Sequence, residues 1–179
     1  MIFNHHKLLS ELLDKTMQIT YKSVGFRVNF HEADLFELNK NLVNSRTKYP
    51  LIWLETGYRE QHRVQGSEVK LSNCSFIFVT KGDATDRYSK RYQTSFNDIL
   101  YPLVAKFEEK IKKTSGISFD KDYHDLISLP FNDVSELAVR SRAKRNPENV
   151  PLTDIWDALI LETDLSISPD CFPQFIIKK

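Results

Sequence analysis

Residues 51–79 read LIWLETGYREQHRVQGSEVKLSNCSFIFV, and the fold turns on how this stretch is paired. Leu51-Ile52-Trp53-Leu54 is apolar at successive positions, as a strand covered on both faces should be. Cys74-Ser75-Phe76-Ile77-Phe78-Val79 is nearly all apolar too. Between them, 58–64 is mostly polar and Gln65-Gly66-Ser67 is a turn signal. Pairing outward from Gly66 sets 58–64 against 68–74, and 51–56 against 76–80. The stretch therefore predicts one long antiparallel hairpin, its base in a core and its tip, 58–72, standing in water. Such a tip buries little apolar area for a monomer. Arg59, Gln61 and Arg63 on it are candidates for contact with a neighbouring molecule.

Working outward, Leu8, Leu9, Leu12, Leu13 and Met17 form a helical stripe over 7–19. Residues 24–30 alternate with period two and predict a strand, and 33–46 a short helix or structured loop. The strongest helical pattern lies over 86–113, where Tyr92, Phe96, Ile99, Leu100, Leu103, Phe107 and Ile111 recur at three- and four-residue steps. Pro102 inside it predicts a kink or a restart, because proline lacks the N–H that the helix needs. A strand is expected around 126–129, a short helix over 133–146, and a last strand from Trp156 to about Ile167. The whole predicts a single α+β domain over 1–179: an antiparallel sheet of four or five strands with a long hairpin, helices packed mainly on one face. The segment 117–150 reads as an insertion.

Composition narrows the function classes. With 41% hydrophobic and 27% charged residues, the chain has ordinary globular usage. A net charge of +1, from 25 basic and 24 acidic residues, argues against a dedicated nucleic-acid binder. No apolar run approaches the ~20 residues of a membrane span, and 1–7 has no signal-peptide character. A soluble chain made in a cytoplasm is the expectation. Cys74 and Cys171 stand in no paired motif, which predicts one thiol in a strand and one in the tail, both reduced.

No constellation carries catalysis. There is no phosphate-cradling glycine motif and no nucleophile elbow, so no enzyme activity and no cofactor are expected. His31-Glu32-Ala33-Asp34 lacks a ligand spacing, even with His62 or His124 added, and reads as a polar strand end. His5-His6 reads as a disordered polar terminus, and no metal is expected. Two basic clusters remain: Arg140, Arg142, Lys144 and Arg145, and Arg87, Lys90 and Arg91 at the start of the long helix. They are candidates for a DNA channel or for inter-subunit ion pairs, against the plainer reading of a solvated face.

Two phrases carry a resemblance. Residues 91–103, Arg91-Tyr92-Gln93-Thr94-Ser95-Phe96-Asn97-Asp98-Ile99-Leu100-Tyr101-Pro102-Leu103, follow a polar loop, and 152–161, Leu152-Thr153-Asp154-Ile155-Trp156-Asp157-Ala158-Leu159-Ile160-Leu161, form a late strand. With the order of elements over about 5–168, they resemble the tail-terminator and tail-completion (neck ring) proteins of tailed bacteriophages. The resemblance implies a structural subunit of a virion ring, a hexamer or dodecamer. Such a ring docks on portal, connector or tail-tube proteins, and DNA passes through its lumen without sequence-specific binding. It implies no catalytic residues, no membrane, and a place in the virion after assembly in the host cytoplasm. The 117–150 segment exceeds that family's minimal fold. Two rival readings of the residues stand beside it: a cytosolic nucleic-acid-binding or regulatory module using 140–145, and an enzyme without a recognisable motif.

Overall fold

The computed structural model describes residues 2–34, 37, 49–63, 67–82, 85–120, 125–129 and 156–177. Its centre is the stretch quoted first. Strands β5 (Leu51–Glu55) and β6 (Arg59–His62) both run antiparallel to the long β7 (Val69–Lys81). Trp53 faces Ile77 and Gln61 faces Lys70, so the two arms pair as expected but with a register one to two residues off strict symmetry about Gly66. On its other side β7 pairs along nearly its whole length with β10 (Trp156–Ile167). Outside β10 lie β8 (Ile117–Phe119) and β9 (Asp125–Leu129), and outside β5 lies β4 (Asn29–Ala33).

Seven strands thus fill five positions across one sheet. The sheet is mixed rather than antiparallel, because β4 and β5 run parallel. A parallel neighbour needs a crossover, and residues 34–50 supply it. The short helix or structured loop expected at 33–46 lies mostly outside the described residues, with Ala33 still in β4, and the helix expected at 133–146 lies wholly outside them.

The antiparallel pairing of the two arms holds, but the tip is not free-standing. Val69 and Leu71 are buried, and β10 continues alongside to Ile167↔Val69. Only the β6 arm is exposed throughout. An irregularity marks the halfway point: Asn73 takes a left-handed backbone (φ 59), and the β7–β10 register shifts there. The Asn73 N–H donates to Asp164 Oδ1 at 2.8 Å, a side-chain bond that compensates the interrupted ladder.

Two more expectations are corrected at the N-terminal end. Helix α1 (His5–Leu13) stops well short of 19: Lys15 is left-handed (φ 55), and the β-branched Ile19 and Thr20 lie in β2 (Gln18–Tyr21). Residues 24–30 do not form one strand. Val28 bonds Met17 and Lys15 through its backbone, separating β3 (Val24–Arg27), which pairs with β2 in a small ribbon, from β4 in the main sheet. Strand β1 (Ile2–Phe3) pairs with β11 (Ile176–Ile177) and ties the two ends of the described chain together.

The long helix begins as α2 (Tyr88–Arg91), widens to a π-helix over Tyr92–Leu100, and resumes as α3 (Tyr101–Lys113). The Tyr101 N–H reaches back five residues to the Phe96 carbonyl, and Pro102 follows, so the restart falls where proline removes a donor. Phe30, Ile52, Leu54, Phe76, Phe78, Leu159 and Leu161 form one face of the sheet and pack against Leu9, Leu13, Phe96, Leu100 and Phe107 of the helices. The opposite face carries a second buried cluster built on Trp53, Ile77, Val79 and Trp156. Helices packed on one face is therefore what the described residues have.

Candidate functional site

The chemically richest corner lies where the first turn of α1 crosses the sheet beside β4 and β6. Asn4 caps the helix: its side chain accepts from the Lys7 N–H at 3.0 Å, and its own N–H donates to the Phe175 carbonyl at 2.9 Å. This fixes His5 and His6 as the first two helical residues. His5 turns inward and is buried, whereas His6 faces solvent. Below them, strand alternation puts Glu32 on the same face of β4 as the core residue Phe30, and puts His31 on the other. On β6 the same rule sets Glu60 and His62 opposite the buried Leu71 and Val69, towards α1, and sends Arg59 and Gln61 to the far side. Gly57, with φ 106, turns the chain between β5 and β6, a conformation open to glycine. Tyr58 follows it and reaches into the corner.

The groups meet closely. The Tyr58 hydroxyl donates to Glu32 Oε1 in a short bond and lies 2.8 Å from His5 Nε2. His6 Nδ1 is 2.7 Å from the same Glu32 oxygen and 3.4 Å from the Tyr58 hydroxyl. Glu60 Oε1 stands 2.9 Å from His62 Nε2 and 3.2 Å from His5 Nδ1, but the latter lacks the alignment of a hydrogen bond. The His5 and His6 rings lie 3.9 Å apart. Burial, and then the neighbouring His6, hold His5 below the ordinary imidazole range. Burial, and then the bond to Glu32, push the Tyr58 phenol far above its usual value. One ligand atom from each of His5, His6 and Glu32 can be drawn within 4.8 Å of one another. An open depression of about 400 Å³ beside them is lined by His6, Ser10, Phe30, His31, Glu32 and Thr56.

Sequence reasoning missed this corner. His5-His6 is an ordered helix start rather than a disordered polar end, and Glu32 joins it without His31. The legible signal was polar residues at core-face positions: Glu32 in phase with Phe30, and Glu60 and His62 in phase with their buried partners. His124 lies outside the described residues.

The predicted contact residues scatter. Arg59, Gln61 and Arg63 are exposed at the outer edge of the sheet; Gln61 accepts from Ser72 Oγ at 3.2 Å, and Arg63 donates to Glu68 at 3.3 Å. Arg87 is exposed and precedes α2. Arg91 is buried and forms a two-pronged ion pair with the fully buried Asp157, so it belongs to the core and faces neither DNA nor a partner. Arg140, Arg142, Lys144 and Arg145 lie outside the described residues. Cys74 is buried in β7 and Cys171 is exposed near the C-terminal end, and neither forms a disulfide. No described helix is long and apolar enough to cross a membrane.

Among the described residues, the sheet is open at both edges. β6 has a paired neighbour on one side only, and so has β9. Arg59 is exposed on one edge, and Asp125 and Leu126 on the other. No protein-family model matches the chain, and no curated protein matches it in sequence.

Proposed function

We propose that the chain is a structural subunit of a closed ring in a phage neck or tail, a tail terminator or head–tail connector, with DNA passing through the lumen. The observation that carries this reading is the pair of unlike edges, β6 and β9, at opposite ends of one sheet, each with one paired neighbour among the described residues. Unlike edges favour head-to-tail contact: the β6 edge of one copy meets the β9 edge of the next, and closure follows when the rotation per step divides a circle. The sheet's twist supplies a rotation at each step. Arg59 on one edge and Asp125 on the other give the contact opposite charges. Arg87 and the run Arg140–Arg145 are the cations offered to a DNA channel or to a neighbour's acids, and no catalytic residue is assigned.

The test is native mass together with negative-stain images of the full chain. Closed rings of uniform size are expected, six or twelve copies on the resemblance to tail terminators. Arg59→Glu should weaken them, and adding Asp125→Arg should restore them. A monomer at every concentration, or rings indifferent to both substitutions, would overturn the reading.

A further inference from the structure

We propose that His5, His6 and Glu32 form a binding site for a divalent transition metal of the zinc type, with Tyr58 beside the remaining position and Glu60 orienting His5. The donor set comes first. Two imidazoles and one carboxylate suit borderline cations such as zinc or cobalt, whereas calcium and magnesium prefer all-oxygen shells. Three protein ligands with a position left towards solvent is a familiar zinc arrangement, and the depression lined by His6 and Glu32 gives an ion a way in. The ligand atoms already lie within 4.8 Å of one another, and His6 Nδ1 and Glu32 Oε1 are 2.7 Å apart. An ion joining them would displace the Tyr58 hydroxyl, which now bridges His5 Nε2 and Glu32 Oε1, towards the remaining position.

The protons supply a second, independent argument. Tyr58 donates its only proton to Glu32, so its oxygen is an acceptor towards His5 Nε2. Glu60 presents another acceptor to His5 Nδ1. A neutral His5 has a single N–H for these two acceptors. If it gives that proton to Tyr58, then Nδ1, buried and without a hydrogen bond, faces a carboxylate lone pair to lone pair. A cation bound by Nε2 removes the conflict. His5 then keeps its proton on Nδ1, facing Glu60, which is the carboxylate–histidine–metal arrangement that fixes the tautomer and strengthens the ligand. The metal would join α1, β4 and, through Glu60, β6. The inference does not depend on ring assembly.

The experiment titrates the tag-free full chain with cobalt(II), reading its visible d–d absorption, and then displaces the cobalt with zinc. The wild type should develop a spectrum of low-symmetry coordination at one equivalent, and zinc should raise its unfolding temperature. His6→Ala and Glu32→Gln should each lose affinity by more than the ~10–100-fold expected of Glu60→Gln, an outer partner. His31→Ala, whose imidazole lines the depression without being one of the three ligands, should bind as the wild type does. Circular dichroism without metal establishes that each variant is folded; His6 is exposed, so its variant tests the site even if Glu32→Gln fails to fold. No cobalt or zinc bound by the wild type, or equal affinity in His6→Ala, would overturn the proposal.

Discussion

A guanidinium taken out of water needs a carboxylate, and Arg91 has Asp157. Removing one partner leaves the other charged and buried, which costs about 3–5 kcal/mol. Arg91→Met should therefore destabilise the chain by that amount in urea unfolding, and adding Asp157→Leu should recover much of the loss. Gly82 is confined by the same pair: a Cβ there would stand 2.8 Å from Arg91 Nη2 and 3.0 Å from Asp157 Oδ2. A second ion pair acts through pH. Lys70 pairs with Asp120, which also accepts from Ser166 Oγ at 2.6 Å; the lysine, and then Ser166, hold the Asp120 carboxyl below its ordinary value. A depressed carboxylate stabilises the fold above its unfolded value, about 3.9, and the benefit disappears as pH falls through the lower folded one. The gap in unfolding free energy between wild type and Asp120→Asn should thus be present at neutral pH and close in strong acid. Asp120 also raises Lys70, whose contribution fades only as pH climbs through its folded value. Neither role was legible in sequence. Arg91 sits in a basic cluster that looks solvated, and its inward phase follows the five-residue step from 91 to 96 that a π-helix makes and a 3.6-residue period does not flag. His5 and Tyr58 meet across 53 positions, a distance no local pattern spans.

At the scale of elements, the long helix is held to the sheet by rings. Phe107 is fully buried, with its centroid 4.8 Å from Phe76, 5.3 Å from Phe78 and 6.2 Å from Phe119. Phe107→Ala leaves a cavity among three aromatic neighbours, and should cost about 3–5 kcal/mol in chemical unfolding. This part of the fold was plain in the sequence, since the stripe through Leu103, Phe107 and Ile111 and the apolar runs 51–54 and 74–79 are strong periodic signals. The β10 strand and the pairing of β5 with β7 were legible for the same reason, though the register was not. What failed was local competition. Met17 is apolar and in helical phase, but the left-handed turn at Lys15 ends the helix first. Residues 24–30 alternate without interruption, yet Val28 spends its backbone groups on Lys15 and Met17. Alternation shows that a strand can form and does not show which sheet it joins.

For the whole molecule, the mixed sheet was beyond sequence because the pattern of 29–33 shows neither the neighbour of β4 nor its direction, and β4 runs parallel to β5. The supposed free tip became an edge because β10 needed the full length of β7. That edge has a definite size. β4 already occupies the outer side of β5, so among the described residues the strand left beside it runs from Arg59 to His62, four residues. An added backbone would find room for one short segment, capped at one end by β4 and flanked by charge. Runaway stacking into fibrils demands long, flat, apolar borders, and this one is short, polar and set beyond the irregularity at Asn73. Such a border can admit a fitted neighbour while refusing indiscriminate growth.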